Sequence, residues 1–260
     1  MPFREADGLR YYYFEVLDSE HLIQAIFTRR GGVSPSPWNT LNLGGSLGDS
    51  RENVIENRER IFRAINRPVS SLFDVWQVHS RDVVCTHEPR QLDAPHKKAD
   101  AIITDRSEVT LLMRFADCVP IFLYDPKCRV VGIVHAGWQG TVRKIASVAV
   151  ETMCRKYGSD PENILAGVGP SIGPDHYEIG TDVINAVQRS FCSDASAVLI
   201  HRDSRVYFDL WQANRMILEE SGVKHIEVAG ICTACHTDDW YSHRGENGKT
   251  GRFGAVIALL

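Results

Sequence analysis

Residues 118–135 read CVPIFLYDPKCRVVGIVH, and this stretch decides the fold. Val119–Tyr124 and Arg129–His135 are both rich in β-branched and aromatic residues, the composition of strands. Asp125-Pro126-Lys127-Cys128 between them is a turn signal with proline at its second position. The pattern predicts a β-hairpin. If the turn centres between Pro126 and Lys127, Cys118 lies directly opposite His135. Opposed residues carry Cβ atoms roughly 4.5–5.5 Å apart, so a sulfur and an imidazole there share one metal ion or form a thiolate–imidazole pair. Pro120 argues for an edge strand, or for a bulge that would shift the register.

Further strand candidates lie on both sides: Tyr11–Val16, Ala25–Thr28, Val75–Val78, Val83–Thr86, Ala101–Thr104, Val109–Arg114, Ile164–Val168, His225–Ile231 and Ala255–Leu259. Helices are fewer. One follows a capping box at Asp49 and Glu52, carries Val54, Ile55, Phe62 and Ile65 on one face, and ends at Pro68. The others are Thr141–Tyr157, stopped by Gly158, then Asp182–Phe191 and Leu210–Ser221. Strands outnumber helices without a βαβα alternation, which predicts an α+β fold with mixed sheets. No repeat or linker interrupts the chain, so residues 1–260 read as a single domain. Thr28–Ser50 is the longest irregular stretch, a length usually tied to function or mobility.

A net charge of −4 offers no electrostatic case for nucleic acid or an anionic membrane. No apolar run approaches the ~20 residues of a membrane span, and the N-terminus has no signal-peptide core. A cytoplasmic location is expected by default. The seven cysteines are odd in number and scattered, which favours reduced thiols. No Gly-rich phosphate loop opens a helix, so a nucleotide cofactor is not indicated.

Two histidines join Cys118 as metal-ligand candidates: His79 in QVHS and His135 in IVHAGW. One thiolate and two imidazoles suit a borderline-soft ion such as Zn²⁺. Three protein ligands leave the fourth tetrahedral position open, the pattern of a catalytic rather than a structural site. The ligand spacing is unlike a zinc finger. The competing reading makes the histidines ordinary core or surface residues and Cys118 a buried apolar thiol.

The chain resembles the YfiH family, also called the laccase-domain or multicopper polyphenol oxidase family. The matching stretches are TRRGGVSPSPWNTLNLG, ENVIENRERI, QVHS, KADAIITD, ADCVPIFLYD, GIVHAGWQGTV, GVGPSIGPDHYEIG and YSHRGENGKTGRFGAVI, in the family's order along nearly the whole chain. The resemblance implies zinc held by His79, Cys118 and His135, with Cys118 serving catalysis. It also implies a fold related to toxin-type cysteine hydrolases. The implied activity is phosphorolysis of purine nucleosides, with adenosine deamination at the same site.

Such chemistry needs a purine nucleoside, phosphate and groups to hold them. Asp117, next to Cys118, is the candidate for orienting the site. Arg29 and Arg30 before Gly31-Gly32, Arg244 and Arg252 in the Gly-rich tail, and Asn42 in NLG are candidates for phosphate, sugar or base contacts. A monomer and a dimer are both compatible with this reading. Three rivals stand beside it. A metal-free cysteine hydrolase would use Cys118 as nucleophile and His135 as base. A multicopper oxidase would need clustered imidazoles, yet no HxH or HCH occurs, and bound Cu²⁺ would more simply reflect substitution for Zn²⁺. A zinc-stabilised binding module would close the site with His243, His236 or His176. Cys232-Thr233-Ala234-Cys235-His236 resembles a CxxC metal or redox motif but has no second CxxC.

Overall fold

Val119–Asp125 and Val130–Ala136 form the predicted hairpin, but in another register. Val119 pairs with Ala136, Pro120 with His135 and Asp125 with Val130. The connection is the four residues Pro126–Arg129, not two. The Asp125 carboxylate accepts from the amides of Lys127 (2.9 Å) and Cys128 (3.1 Å), and Arg129 closes the loop at φ 52°. Cys118 therefore falls opposite Gly137, one step beyond the ladder, and not opposite His135. The shift is two positions, so it conserves which face each side chain occupies. Pro120 sits in a central strand, contrary to expectation. His135 turns its N–H away, to the carbonyl of Asp100 (2.8 Å). The Pro120 pair consequently needs no N–H. The Pro120 carbonyl faces the other neighbour, accepting from Gly169 where that ladder ends (2.8 Å).

The computed structural model describes residues 2–260. In chain order the strands are β1 (Phe3–Ala6), β2 (Leu9–Tyr12), β3 (Leu22–Phe27), β4 (Leu72–Phe73), β5 (Val83–Cys85), β6 (Ala101–Thr104) and β7 (Thr110–Phe115). They continue with the hairpin β8 and β9, then β10 (Leu165–Val168), β11 (Leu199–Arg202), β12 (Arg205–Phe208), β13 (His225–Val228) and β14 (Phe253–Leu259). The helices are α1 (Arg51–Ala64), α2 (Trp138–Val142), α3 (Ile145–Tyr157), α4 (Thr181–Phe191) and α5 (Leu210–Glu220). One six-stranded sheet runs β13-β10-β8-β9-β6-β5, a second β1-β2-β3-β14-β7-β4, and β11-β12 pair separately. The ladders β10–β13, β5–β6 and β4–β7 are parallel and the rest antiparallel, which is the expected α+β fold with mixed sheets.

The two large sheets pack face to face. Phe122, Tyr124, Val131 and Ile133 of the hairpin share a core with Met113, Phe115, Phe253 and Ile257 of the second sheet. The alternate residues Ile121, Leu123, Val130 and Val134 face α3, α4 and α5. On the far side α1 covers the second sheet through Ile61 and Phe62 against Phe27, Leu112 and Val256. Both faces of both sheets are thus covered, which is why these strands read as continuous apolar runs rather than alternating ones.

Local signals fared unevenly. Ser50, not Asp49, caps α1, accepting from the Asn53 amide at 3.2 Å. The single helix expected over Thr141–Tyr157 is two, broken at Lys144 in the left-handed region, while Gly158 ends the second as predicted. Val75–Val78 is not a strand; only Trp76 makes an isolated bridge, to Lys98. No described helix is long and apolar enough to cross a membrane.

Candidate active site

The hairpin ends at the edge of the inter-sheet core, and there His135, Cys118 and His79 converge. Their ligand atoms all lie within 4.8 Å of one another, and the two imidazole centroids are 4.9 Å apart. His135 is buried at the end of β9, Cys118 half-buried just before β8, and His79 exposed on the loop after the Trp76 bridge. Gly137, opposite Cys118, makes this approach feasible. A Cβ on Gly137 would stand 2.8 Å from His79 Nδ1 and 2.9 Å from Cys118 Sγ. Residues 79 and 117 both adopt left-handed backbone, φ 58° and 82°, which non-glycine residues hold only when their surroundings dictate it.

Asp100 dictates it for His79. Its buried carboxylate accepts from the amides of Val78 (3.2 Å), His79 (3.0 Å) and Ser80 (2.6 Å), wrapping the loop around itself. The same carboxylate bonds His135 Nδ1 at 2.9 Å. A carboxylate only accepts, so Nδ1 carries the proton and Nε2 turns toward the cluster, the usual support for a ligating histidine. Asp100 was missed in the sequence; a lone acid at the start of an apolar strand was the available signal.

Asp117, the expected orienting group, has a different position. Its carboxylate accepts from Thr233 Oγ1 (2.7 Å), Ser242 Oγ (2.7 Å) and the Arg244 amide (2.6 Å). It bonds neither histidine, and instead ties the tail of the chain to the turn that carries Cys118. Burial alone would raise the Cys118 thiol pKa, but the His135 charge and hydrogen bonds from both histidines outweigh it and lower it to about 6. His135 shows the converse: burial lowers its pKa, and the Cys118 charge with the Asp100 hydrogen bond raises it to about 9. These neighbours favour the thiolate of Cys118, the form that ligates metals or acts as a nucleophile.

Two adjoining clefts meet at this cluster and share His79, His135, Arg114 and Arg252. One, of about 460 Å³, extends past Gly44–Leu47, Arg58, His96 and Trp76, a residue 51% exposed. The other, of about 340 Å³, runs past Cys118, Tyr177, His243 and Arg244. The first is cationic. Among the described residues no carboxylate lies within ion-pair distance of Arg58 or Arg252, and burial lowers both guanidinium pKa values from the ordinary range. Arg114 is held by Asp74 (3.1 Å) and the Val75 carbonyl (2.8 Å). Arg58 and Arg252 are both partly buried, and Arg252 donates to the Gly251 carbonyl at 2.7 Å; a guanidinium so placed without a carboxylate suits an anion. Arg58 and Arg114 were overlooked in the sequence, although an arginine inside the apolar strand TLLMRF was a usable clue.

The remaining candidates divide. Arg252 and Arg244 line the clefts. Asn42 is buried and satisfied, accepting from the Gly44 and Arg252 amides (2.9 Å each) and donating to Asp49 (2.9 Å); it shapes the cleft wall without facing a ligand. Arg29 and Arg30 lie elsewhere. Arg29 pairs with Glu246 at 2.9 Å and stacks on Tyr241, and Arg30 pairs with Asp239 at 2.7 Å. Their guanidinium groups clamp the Thr28–Ser50 segment to the tail, so the expected phosphate role does not fit their positions.

The residues present fit a metal ion. One thiolate and two imidazoles converge, Gly137 leaves the space a Cβ would fill, and Asp100 sets the tautomer of His135. Among the described residues no further His, Cys, Asp or Glu joins this cluster, so a fourth position stays open. Neither His243 nor His236 belongs to it, and His176 sits in a separate group.

Comparison with known proteins agrees with this architecture. The purine nucleoside phosphorylase YlmD of Bacillus subtilis (strain 168) is 35% identical over 250 residues, 93% of this chain and 90% of that protein. The adenosine deaminase RL5, from an unknown prokaryotic organism, is 32% identical over 240 residues, 88% of this chain and 91% of that protein. The crystal structure of the Bacillus licheniformis hypothetical protein YfiH superposes with a TM-score of 0.92 at 30% identity, covering 100% of this chain and 99% of that one. Residues 23–260 match the family described as multi-copper polyphenol oxidoreductase laccase, and the chain belongs to that family, alongside the YfiH and YlmD proteins.

Proposed function

We propose that this chain is a zinc-dependent purine nucleoside phosphorylase that also deaminates adenosine at the same site, acting as one catalytic domain. The observation that carries the reading is the junction of the His79/Cys118/His135 cluster with a cleft in which, among the described residues, Arg58 and Arg252 have no carboxylate within ion-pair distance. The relatives' names cover both activities. The substrates would be adenosine, inosine, guanosine and 5′-methylthioadenosine, with phosphate as co-substrate.

Phosphorolysis forms a bond from a phosphate oxygen to ribose C1′ while the C1′–N9 bond breaks and its electron pair leaves with the purine. Arg58 and Arg252 hold the phosphate, and Arg114 adds a fixed positive charge beside them. Trp76 offers an exposed aromatic face on which the flat base stacks. Asp100 keeps His135 oriented, and Asp117 anchors the Cys118 turn against the tail. When bound, zinc supplies Lewis acidity at neutral pH.

A second reading is favoured by the Cys118–His135 pair itself, which would equally suit a metal-free cysteine hydrolase. Elemental analysis beside an adenosine assay, with and without phosphate, separates them. One zinc at the Cys118 cluster, lost with turnover in Cys118→Ala, is expected. A wild-type protein without metal that hydrolyses amides through an alkylatable Cys118 would overturn the proposal. Copper with phenol oxidation would support the oxidase implied by the family's description. Arg58→Ala should cut phosphate-dependent release of free base by roughly 10–150-fold, the worth of one charged hydrogen bond of about 1.5–3 kcal/mol. Inosine formation, which consumes no phosphate, should fall far less.

A further inference from the structure

A second group of donors lies behind the wall of the Cys118 cleft. The Cys232–His236 segment forms one turn, with the His236 amide bonding the Cys232 carbonyl at 3.2 Å. That turn puts Cys232 and Cys235 on one side. A parallel bridge between Ser171 and Cys232 lays this segment beside the loop carrying Asp175 and His176. All four ligand atoms fall within 4.8 Å of one another.

We propose that Asp175, His176, Cys232 and Cys235 form a second zinc site, four-coordinate and structural, that staples two segments of the cleft wall together. Zinc–ligand bonds of about 2.3 Å to sulfur and about 2.0–2.2 Å to nitrogen or oxygen imply tetrahedral edges of roughly 3.5 Å from sulfur to nitrogen or oxygen and roughly 3.4 Å from nitrogen to oxygen. His176 Nδ1 lies 3.7 Å from Cys232 Sγ and 3.5 Å from Cys235 Sγ. Asp175 Oδ2 lies 3.5 Å from Cys235 Sγ and 3.2 Å from His176 Nδ1. Each of these four separations is within a few tenths of an ångström of its ideal edge.

Two independent features support the site. The Gly173 amide donates to Cys232 Sγ at 3.2 Å, the bond that orients a metal-bound thiolate. A Cβ on Gly173 would come within 2.6 Å of Asp175 Oδ1 and 3.0 Å of Cys232 Cβ, so a larger residue there would press on two of the four donors. Cys232 is buried, whereas the side chains of Asp175 and His176 are each 45% exposed, which leaves an entry path for the ion. Four donors complete a tetrahedron, unlike the three at Cys118, and a closed site is structural. Its place explains what it would hold. Tyr177, next to His176, lines the Cys118 cleft, and Thr233, next to Cys232, donates to Asp117. A CxxC without a partner CxxC looked incomplete in sequence because the other two donors come from a distant loop.

The test is zinc stoichiometry in the full-length, thiol-reduced protein loaded with Zn²⁺ and freed of excess. Using Cys118→Ala as background makes the result independent of the catalytic cluster. Cys118→Ala should retain one zinc per chain, and Cys118→Ala/Cys235→Ser should hold none. Asp175→Asn in the same background, which leaves both thiols intact, should also lose the ion to a competing chelator. Cobalt in the Cys118→Ala protein should give a tetrahedral spectrum with thiolate charge-transfer bands that weaken in the Cys235→Ser pair. Zinc-free Cys118→Ala protein, equal zinc in all variants, or a Cys232–Cys235 disulfide by mass spectrometry with no zinc uptake after reduction would each overturn the site.

Discussion

Replacing Gly137 by alanine tests whether His79 and Cys118 close on a common ion. The added Cβ would stand 2.8 Å from His79 Nδ1, 2.9 Å from Cys118 Sγ and 3.3 Å from His79 Cε1. Comfortable non-bonded separations are about 3.5–4.0 Å, so both donors must withdraw by well over half an ångström. Metal sites accept ligand distances within about 0.2 Å of ideal. Overpacking of this kind costs about 1–3 kcal/mol, and here it falls on the metal-bound state, where neither donor can retreat. Zinc affinity should therefore drop by roughly 5–150-fold. The metal-free fold should lose less, because only the 2.9 Å contact with Cys118 Sγ remains to be relieved. Gly137 has φ −73° and ψ 176°, which alanine adopts freely, and the exposed His79 ring can rotate aside. The assay is competition against a chromophoric chelator, with thermal unfolding of the metal-free protein as control. Wild-type zinc affinity in Gly137→Ala would refute the convergence of these two donors on one ion beside residue 137.

Further expectations follow from the same geometry. Asp100→Ala removes the acceptor for His135 Nδ1 and for three loop amides; zinc affinity should fall about 10–100-fold and stability by about 1–3 kcal/mol, read by chelator competition and denaturant unfolding. Asp74 is buried among Arg90 (2.7 Å), Arg114 (3.1 Å) and His96 (3.2 Å). Burial alone would raise its pKa, but the His96 hydrogen bond, the Arg114 charge and the Arg90 hydrogen bond hold it well below the ordinary carboxylate range. A carboxylate depressed in the folded state contributes stability that is fully present above its unfolded pKa of about 3.9 and is lost as pH falls below it. Unfolding free energy measured between pH 6 and pH 3 should decline in the wild type. Asp74→Ala should show less of that decline and be destabilised by about 3–5 kcal/mol, because two buried guanidinium groups lose their partner. Arg30→Ala should leave the phosphate dependence of turnover unchanged, since its guanidinium serves Asp239; a raised phosphate requirement would return Arg30 to the site.

What could be read from the sequence was local. The two apolar runs around Asp125-Pro126 announced the hairpin, Gly158 announced a helix end, and the excess of strands over helices announced mixed sheets. Each depends on near neighbours: side-chain alternation, a fixed proline φ, a glycine tolerating the left-handed region. The types of residue at 79, 118 and 135 likewise told what chemistry they suit, and family resemblance grouped them. Register turned on a local device as well: the Asp125 carboxylate binds the amides two and three residues on, which goes with a connection of four residues rather than two and places Cys118 opposite a glycine. Packing also decided which charges face a ligand. Arg29 and Arg30 looked available beside two glycines, yet Glu246 and Asp239, more than two hundred residues away, neutralise them. Arg58, a helix residue, has no carboxylate within ion-pair distance among the described residues. Asp100 joins His79 to His135, and Asp175-His176 meets Cys232 and Cys235, only because the sheets and loops bring them together. Sequence separation carries no record of such meetings; the burial of two sheets against each other determines which distant polar groups must satisfy one another.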